Sequence, residues 1–385
     1  MRAAYDLIII GGGVLGSFHA YHALKRGLHV LLVEKDKVPR GATTQNFGQV
    51  VPSGMNTKWQ AYGRQSLQLY KEIQQEFDIT VREEGSVYVA SNEEEMQLIE
   101  ELAKINKAND YTAILRSKKE CLQILPGLNE SYVVGGLQFP QEVTVEPRTM
   151  IHRLHAYMVK ILGLTIQYQT TIIHCESEAG NARVQCSRGQ EYIAKKVIIC
   201  NGNEFKSLYP TLFAKSDLEV SKLQMMQTYP QKAYTLPGSV LTGWSIRRYE
   251  AFSECPSYRE IKNNEAKESL QQMWGVHILF KQAIDGSVIL GDSHQYADAS
   301  DIDDLGYELD MDIDRFMIEE AKKIITLPAY EIKHRWFGMY SQCKNGDIFQ
   351  KTIDDTIHIV TGIGGKGMTG SAGFAKEHIS KIFNV

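Results

Sequence analysis

Two glycine-rich segments, at opposite ends of the chain, are suited to bind an anion through backbone N–H groups. Near the N-terminus, Gly11, Gly13 and Gly16 supply the spacing G-x-G-x-x-G directly after the apolar run Tyr5–Ile10. Gly11 permits a tight turn, Gly13 lets the backbone approach a pyrophosphate, and Gly16 lets a helix pack closely on the strand. The free N–H groups and the dipole at the start of that helix favour phosphate binding.

The elements around this first segment complete a nucleotide-binding pattern. A helix is predicted over Ser17–Arg26, and a second buried strand, His29–Val33, ends in Glu34. Glu34 is placed to accept hydrogen bonds from an adenosine ribose. Strand, glycine turn, helix, second strand and terminal acid together predict the binding of a dinucleotide, although they do not distinguish NAD from FAD.

The next segment, Pro39–Gln49, is rich in glycine, threonine and asparagine. A plain NAD-binding domain usually proceeds into its next helix and strand at this point. Hydroxyl groups and backbone N–H groups in such a loop are suited to wrap extended cofactor phosphates, which favours FAD. An ordinary polar surface loop fits these residues equally well.

The second glycine-rich segment, Thr361–Gly370, follows a predicted strand over Thr356–Val360 and precedes a predicted helix over Ser371–Ile382. Lys366 is the single lysine among its glycines. The loop N–H groups and the positive end of the helix face one point, which predicts an anion or a polarised ring there. A flexible surface turn would explain the glycines but not the helix that begins at this place.

Composition excludes several classes of protein. The 385 residues predict two domains, and their net charge of −4 gives no basic field for nucleic acid. No apolar run is long enough to span a bilayer, and Asp6 interrupts any signal-peptide pattern. The six cysteines show neither a CxxC pair nor the spacing of metal ligands. We therefore expect a cytoplasmic globular protein with reduced thiols and no metal.

The remaining pattern predicts the elements that position these loops. Short strands are expected between Leu164 and Cys200, and the last of them runs into a turn at Asn201-Gly202. The stretch Lys222–Leu290 reads as rich in strands. Helices are expected over Trp59–Phe77, Glu93–Asn106, Pro147–Leu162 and Ile313–Ile325.

Four segments in this order make the chain resemble the D-amino-acid-oxidase-like superfamily of FAD-dependent oxidoreductases, which includes glycine oxidase and sarcosine oxidase. The resemblance covers nearly the whole length, and its segments are Gly11–Gly16 with Glu34, Gly41–Thr44, Cys200–Gly202 and Thr361–Thr369. Within the superfamily, four further segments are similar to a bacterial subfamily linked to aminophosphonate breakdown. They are Asn46–Gln49, Lys222–Met226, Ile289–His294 and Arg335-Trp336.

The resemblance implies an α/β fold, α+β overall, with a Rossmann-like FAD-binding domain and a second domain built on an antiparallel sheet. The FAD-binding domain would combine residues 1–82, 145–222 and 333–385. The substrate domain would consist of the two inserts, 83–144 and 223–332, and the strand-rich stretch noted above falls in the second insert.

The resemblance also implies which residues contact FAD. They come from both glycine-rich segments, from the loop after the second strand and from positions near the ends of later strands. The expected set is Gly11, Gly13, Val14, Leu15, Gly16, Glu34, Lys35, Gly41, Ala42, Thr43, Thr44, Asn46, Phe47, Gly48, Gln49, Ile172, Cys200, Asn201, Gly202, Gly338, Met339, Gly364, Gly365, Lys366, Gly367, Met368 and Thr369.

The implied reaction is oxidation of an amine C–H bond by hydride transfer to flavin N5, which gives an imine that water hydrolyses. The flavin carries this chemistry, while protein groups orient the substrate and stabilise negative charge at N1 and O2 of the reduced ring. Lys366 and the N–H groups of Gly364–Met368 fit the second role. O₂ or another electron acceptor would then reoxidise the flavin.

Two departures from the superfamily pattern narrow the expected mode of FAD attachment and the expected class of substrate. Some relatives attach FAD through a cysteine before a Met-Tyr pair, whereas Gly338 precedes Met339 and Tyr340 here, so we expect non-covalent FAD. Relatives that act on simple amino acids carry an arginine near Met339 or Tyr340, and this arginine binds the substrate carboxylate. Its absence argues against a standard amino-carboxylate substrate.

The segment Trp274–Lys281 offers two candidate catalytic residues. Alternation along a strand places His277 and Lys281 on the face opposite an apolar one. In relatives the residue near His277 faces the flavin, so His277 is the candidate for amine deprotonation or substrate binding, and Lys281 would assist O₂. An exposed strand face is the alternative for both.

Other residues are expected to bind the substrate. Arg247 and Arg248 lie on a predicted neighbouring strand, and one of them would bind an acidic group such as phosphonate. Surface charge is the simpler role for the other arginine. Gln49 and Tyr340 complete the expected substrate-binding set.

The sequence leaves rival functions open. A dehydrogenase of the same fold would pass electrons to a quinone or carrier instead of O₂. A flavin-binding protein with a structural or partner-binding role and no turnover is a rival from another class, and an NAD-only dehydrogenase is a third. Peroxide formation, anaerobic bleaching of the flavin by an amine, and the yellow colour of the purified protein separate these alternatives.

Overall fold

The chain folds around two large β-sheets, and its structure is a computed structural model that describes residues 4–384. Among these residues, no helix is both long and apolar enough to cross a bilayer. The strands are β1 (Tyr5–Ile10), β2 (Val30–Val33), β3 (Gln49–Val50), β4 (Ser86–Ala90), β5 (Ile114–Ser117), β6 (Gly135–Phe139), β7 (Val143–Thr144), β8 (Thr165–Gln167), β9 (Ile172–Glu178), β10 (Asn181–Cys186), β11 (Glu191–Ile199), β12 (Leu218–Thr228), β13 (Ser239–Leu241), β14 (Leu279–Gln282), β15 (Val288–Gly291), β16 (Gln295–Asp298), β17 (Ile332–Cys343), β18 (Phe349–Ile353) and β19 (Ile357–Thr361). The α-helices are α1 (Val14–Leu24), α2 (Thr57–Glu76), α3 (Glu93–Ala108), α4 (Lys118–Ile124), α5 (Pro147–Leu162), α6 (Pro210–Ala214), α7 (Gly243–Ile246), α8 (Tyr258–Asn263), α9 (Leu270–Met273), α10 (Met311–Ile324) and α11 (Gly367–Phe383).

The first sheet has the strand order β18-β19-β11-β1-β2-β8, and all neighbours along it are parallel except β18 and β19. In its centre, Ile9 of β1 lies opposite Ile198 on one side and Leu32 on the other. Leu7 and Ile9 pack against the helices α1, α2, α5 and α11, while Ile8 packs against β9, β10 and α6. β1 is therefore buried on both faces, as its unbroken apolar sequence predicts.

The helices that cover this sheet begin and end close to the predicted positions. α5 begins at Pro147, whose missing N–H is not needed in a first turn, and ends before Gly163, which has φ +74°. The predicted helix Pro147–Leu162 is confirmed. The helix predicted over Trp59–Phe77 is also confirmed, as is the one over Glu93–Asn106, which packs against β4 and β6 instead, and their ends shift by one or two residues.

The second sheet has the order β16-β12-β15-β14-β13-β4-β6-β5, and β17 also pairs with β12. Its paired strands are antiparallel except β13 and β4, so the predicted α/β architecture with a second, mainly antiparallel sheet is confirmed. β17 also reaches the first sheet, where the Ser341 hydroxyl donates to the Gly202 carbonyl oxygen at 2.9 Å. The division into two domains stays a prediction, and β12 and β17 cross its boundaries at 222/223 and 332/333.

Residues 243–273 differ from the strand-rich prediction for Lys222–Leu290. They form the short helices α7, α8 and α9. Local capping favours these turns over strands, and the Ser269 side chain, for example, accepts a backbone N–H at the start of α9. Arg247 and Arg248 therefore lie in the turn that follows α7 and not on a strand.

Candidate functional site

A cleft of about 790 Å³ opens between the two sheets, at the carboxyl ends of β1, β11 and β19. Its lining includes residues of Gly11–Gly16, Gly41–Gln49 and Thr361–Thr369, which are far apart in the sequence. In open parallel sheets, ligands bind in the crevice outside the carboxyl ends of the strands. The two glycine-rich segments therefore face one shared site.

The first glycine segment turns tightly at the end of β1. Gly11 has φ +108°, and a Cβ atom there would collide with the carbonyl oxygen of Cys200, which follows β11. A Cβ atom on Gly16 would collide with the Gly11 carbonyl oxygen, so α1 packs closely on the strand end. At Gly13 the nearest neighbour of such an atom is the Thr43 hydroxyl at 3.1 Å. The turn thus has the shape that lets the backbone approach a pyrophosphate.

Glu34 ends β2 in the wall of the same cleft. Its side chain is buried, and its two carboxylate oxygens accept the backbone N–H groups of Gly12 and Asp36 at 2.9 and 3.0 Å. These contacts hold the carboxylate in one orientation at the rim of the glycine turn. Each oxygen keeps a further lone pair, which a ribose hydroxyl is suited to fill.

The second glycine segment forms the opposite part of the lining. Gly364 has φ +66°, and Gly364–Lys366 make a 3₁₀ turn that runs directly into α11. Lys366 Nζ lies 2.7 Å from Glu250 Oε1 and 5.4 Å from the centre of the Trp59 ring. The lysine therefore lines the cleft as expected, with its charge partly balanced by Glu250.

Two polar atoms in the wall indicate that this site takes a polar ligand. Gln49 Nε2 and Asn201 Oδ1 are buried and have no hydrogen-bond partner among residues 4–384. Both residues line the cleft. Because buried polar groups in folded proteins are almost always hydrogen-bonded, these atoms fit the heteroatoms of a dinucleotide such as FAD.

Thr44 and Gly48 belong to the expected FAD-contacting set, but neither is among the residues that line the cleft. The Thr44 hydroxyl turns back to the Gly41 carbonyl oxygen at 3.2 Å, and the Gly48 carbonyl oxygen accepts the Val145 N–H at 2.7 Å. Both residues shape the loop instead. The expected residues that do line the cleft are Gly11, Gly13, Val14, Leu15, Gly16, Glu34, Lys35, Gly41, Ala42, Thr43, Asn46, Phe47, Gln49, Ile172, Cys200, Asn201, Gly202, Gly338, Met339, Gly364, Gly365, Lys366, Gly367, Met368 and Thr369.

The two adjacent arginines have opposite surroundings. Arg248 lines the cleft, and its guanidinium donates to the Tyr296 hydroxyl at 2.6 Å, with no carboxylate of residues 4–384 within 4 Å. Arg247 lies behind the cleft wall and ion-pairs with Glu95 at 2.9 Å and Glu265 at 3.7 Å. The expectation of a surface charge is wrong for Arg247, because its side chain is only 13% exposed.

Lys281 is not part of the cleft, which corrects the expectation from strand alternation. It is fully buried, and Nζ donates to the Val145 carbonyl oxygen at 2.7 Å and to Glu146 Oε1 at 2.9 Å. Burial lowers the pKa of Lys281 to about 8, and the Glu146 carboxylate opposes that shift. Four residues of extended chain separate Lys281 from His277 by roughly 13 Å, which carries the lysine past the cleft.

His277 lines the cleft as expected, and two residues after β15 lie beside it. His277 Nε2 lies 2.7 Å from Asp292 Oδ1, and its Nδ1 lies 3.1 Å from the Ser245 hydroxyl. His294 Nδ1 lies 3.0 Å from the Gly275 carbonyl oxygen. Both ring nitrogens of His277 therefore already face protein partners.

The side chains of His277, Asp292 and His294 bring atoms of the kind that bind metals within 4.8 Å of one another. Two ligands of one tetrahedral zinc ion lie roughly 3 Å or more apart. The 2.7 Å between His277 and Asp292 is shorter and suits a direct contact. The cluster is therefore better described as a polar wall than as a metal site.

Sequence reasoning missed several residues of this wall. Asp292 and His294 fall in Ile289–His294, which carried the subfamily resemblance, so a signal was present without an assigned chemistry. Tyr249 and Tyr296 also line the cleft. Tyr249 lies in the turn after α7, and Tyr296 lies on β16, which is too short to show a periodic pattern. Tyr340 is the one tyrosine of the lining that was expected.

Comparison with known proteins identifies the family. The family model described as DAO, FAD dependent oxidoreductase, matches residues 6–380. A glycine oxidase of Bacillus licheniformis is 26% identical over 211 residues, which cover 52% of this chain and 55% of that protein. The sarcosine dehydrogenase of Mus musculus mitochondria is 26% identical over 148 residues, which cover 37% of this chain and 16% of that protein. The chain thus matches about half or less of the length of these curated relatives.

Solved structures share the fold. The glycine oxidase of Geobacillus kaustophilus superposes with a TM-score of 0.77 at 16% sequence identity, over 99% of this chain and 95% of that one. Identity at this level shows the fold alone. The family model, by contrast, spans nearly the whole sequence. The chain therefore belongs to the DAO family of FAD-dependent oxidoreductases.

Proposed function

We propose that this FAD-dependent oxidoreductase oxidises the C–N bond of a small amine that carries an anionic group, with aminophosphonates as the specific substrate class. The observation that carries the proposal is Arg248. It is a cation in the wall of the cofactor cleft, and no carboxylate of the described residues lies within 4 Å of it. A substrate anion would give Arg248 a direct ion-pair partner.

The surroundings of Arg248 suit an oxyanion with several oxygens. Among residues 4–384 its side chain makes one hydrogen bond, to the Tyr296 hydroxyl, so most of its five N–H donors are free. A planar guanidinium binds phosphonate or carboxylate oxygens through two parallel hydrogen bonds. Tyr249 and Tyr340 line the same part of the cleft and add hydroxyl groups.

The chemistry divides between cofactor and protein. FAD, when bound, accepts two electrons from the amine C–H bond, and water hydrolyses the resulting imine. Arg248 holds the anionic end of the substrate, and His277, whose Nε2 lies 2.7 Å from Asp292 Oδ1, positions the polar groups at the amine end. Lys366 and the N–H groups of Gly364–Met368 stabilise negative charge near the second glycine segment. Apolar side chains such as Leu279 exclude water from the reacting bond.

Other observations support the finer parts of this proposal. Relatives named glycine oxidase and sarcosine dehydrogenase favour amine chemistry. The resemblance to an aminophosphonate-linked subfamily, with no arginine at Met339 or Tyr340, favours a phosphonate over a simple carboxylate. A Cβ atom at Gly338 would lie 2.8 Å from the Gln45 carbonyl oxygen, which favours non-covalent FAD at this position. We also propose the predicted two-domain division and a cytoplasmic location.

Anaerobic flavin reduction tests the proposal. The purified holoenzyme is mixed with aminophosphonates, N-methyl amines and D-amino acids, and flavin absorbance is followed in the absence of air. We expect aminophosphonates to bleach the flavin fastest. If plain amines bleach it equally fast, the substrate class is wrong, and if no amine bleaches it, the protein does not oxidise amines.

The electron acceptor is tested on the same reduced enzyme. Admitting air and measuring peroxide distinguishes an oxidase from a dehydrogenase of the same fold. Rapid reoxidation with one peroxide per flavin identifies O₂ as the acceptor. Slow reoxidation without peroxide identifies a quinone or protein carrier.

A further inference from the structure

The cleft has a second polar subsite whose chemistry is opposite to that of Arg248. Asp292 and His294 follow β15, and both line the cleft with about 6% of their surface exposed. Neither belongs to the cofactor-binding segments. A buried carboxylate and a buried imidazole that face a cleft are suited to bind polar groups of a ligand.

Asp292 is an anion with free accepting capacity. Its Oδ1 lies 2.7 Å from His277 Nε2 and has no other hydrogen-bond partner among residues 4–384. Burial alone would raise the pKa of Asp292, yet the neighbouring His277 and His294, together with the Arg248 charge, hold it below its ordinary value. A buried carboxylate in this state favours a donor that carries positive charge.

His294 lies next to this carboxylate, with its Nδ1 3.9 Å from Asp292 Oδ1. Its Nδ1 lies 3.0 Å from the Gly275 carbonyl oxygen, which only accepts, so Nδ1 carries the ring proton. Burial, together with the Arg248 charge, lowers the pKa of His294 to about 3, and the ring is neutral. Its Nε2 therefore keeps a lone pair. The ring stacks on Tyr296, the residue that also contacts Arg248.

From this geometry we propose that Asp292 and His294 form the receptor for the amino group of the substrate, while Arg248 binds its anionic group. The cleft would thus select molecules that carry both charges. This inference rests on the proposed function, and it adds the chemistry of the amine end. His277 contacts Asp292 on one side and Ser245 on the other, so it acts as a positioning residue for the carboxylate.

A pair of ligands that differ only in the amino group tests this inference. An aminoalkylphosphonate and the alkylphosphonate of the same chain length are titrated anaerobically into the holoenzyme, and binding is followed by the change in flavin absorbance. For Asp292→Asn we expect affinity for the aminoalkylphosphonate to fall roughly 10- to 100-fold, because a charge-assisted hydrogen bond is lost. Affinity for the alkylphosphonate should stay equal or rise. For Arg248→Gln both ligands should bind more weakly.

Controls separate a lost contact from a lost fold. Asp314→Asn changes another buried carboxylate, which pairs with Arg335 at 2.9 Å outside the cleft, and it should leave both affinities unchanged. FAD content and melting temperature are measured for every variant. Should Asp292→Asn fail to fold, His294→Gln is tested by the same comparison, and it should also weaken only the amine-bearing ligand.

The outcomes distinguish this inference from the proposed function. If Asp292→Asn, or His294→Gln in its place, lowers the affinity for both ligands by the same factor or for neither ligand, the amine receptor is wrong. The phosphonate proposal then still stands. If neither phosphonate perturbs the flavin of the wild-type enzyme, the proposed substrate class is wrong. The titration is then repeated with an amine that does perturb the flavin and with the analogue of that amine that lacks the amino group. A selective loss of the amine then supports the receptor, and no loss overturns it. Wild-type enzyme that binds no amine overturns both proposals.

Discussion

Arg247 and Arg248 are neighbours in the sequence, yet they lie in two regions of different chemistry. Arg247 belongs to a closed ion-pair cluster with Glu95 and Glu265 behind the cleft wall. Arg248 faces the cleft, and its side chain donates a hydrogen bond to the Tyr296 hydroxyl. The contrast shows that the partners of a cation indicate whether it stabilises the fold or is free to bind a ligand. Its burial and its position in the sequence do not.

Lys281 and Lys366 show a related contrast, in which both lysines pair with a carboxylate and the exposure of that carboxylate differs. Lys281 is fully buried against Glu146, which also pairs with Arg82 at 3.0 Å. Lys366 lies in the cleft wall, where its partner Glu250 is 42% exposed. A bound ligand is therefore able to compete for Lys366 but has no access to Lys281.

The largest effect should follow from removing the cleft arginine. Arg248→Gln should lower kcat/KM for an aminophosphonate about 100- to 1,000-fold, because losing a buried, hydrogen-bonded charge contact costs roughly 3–4 kcal/mol. Steady-state kinetics measure it. Melting temperature should change less than for Arg247→Gln, since Arg248 forms no direct ion pair with a carboxylate of the described residues and only its longer-range attraction to Asp292 is lost. An unchanged kcat/KM would remove Arg248 from the substrate site.

The matched substitution of Arg247, which lies behind the cleft wall, should lower stability and leave substrate binding unchanged. Arg247→Gln leaves Glu95, which is 2% exposed, without its cation, and the free energy of unfolding should fall by about 3 kcal/mol. Chemical denaturation measures it. KM of the folded fraction should match the wild type. A raised KM with normal stability would reverse the roles assigned to the two arginines.

Buried histidines extend the comparison to the pH dependence of the unfolding free energy. Burial lowers the pKa of both His19 and His378 well below 6.5, and the two rings share a contact of 2.9 Å between α1 and α11. The unfolded chain binds protons that the folded chain does not, so stability is full above about pH 6.5 and falls below it. Each such histidine contributes a slope of about 1.4 kcal/mol per pH unit.

Replacing one of these rings tests that slope. His378→Gln should make the fall in unfolding free energy below pH 6.5 shallower by about 1.4 kcal/mol per pH unit, which is the contribution of one proton. Denaturation at a series of pH values measures it, and His152→Gln, at an exposed position, should leave the slope unchanged. Equal slopes for His378→Gln and wild type would show that this pair does not control acid stability.

The smallest effect should come from the second glycine segment. Lys366→Met should lower the reduction potential of bound FAD by about 20–30 mV, which corresponds to roughly 1 kcal/mol for two electrons. It should also slow flavin reduction, because a positive charge near the reduced ring is lost. Lys281→Met should leave the potential unchanged and lower only stability. Equal potentials for wild type and Lys366→Met would contradict the role of this lysine.

Local sequence predicts the cofactor side of this molecule well. The strand Tyr5–Ile10, the turn at Gly11–Gly16 and the helix Pro147–Leu162 depend on apolar runs, glycines and a proline whose effects act within a few residues. The second glycine segment also begins a helix as predicted, although α11 begins at Gly367 and not at Ser371. These features need no knowledge of distant partners.

The substrate side depends on contacts that the sequence does not display. Arg247 and Lys281 bear charges like those of Arg248 and Lys366, and only the tertiary structure shows that Glu95 and Glu146 neutralise them. Asp292 becomes notable only when His277 and Arg248 are brought beside it. Short helices between β13 and β14 also replace predicted strands, and they turn Arg248 toward the cleft.

Substrate preference at Arg248 tests the central claim most directly. Wild type, Arg248→Gln and Arg247→Gln are mixed anaerobically with an aminoalkylphosphonate and with the plain alkylamine of the same length, and the rates of flavin bleaching are compared. We expect wild type and Arg247→Gln to reduce much faster with the phosphonate-bearing amine, and Arg248→Gln to lose this preference. If Arg248→Gln keeps the wild-type preference, the cleft arginine does not recognise the substrate anion.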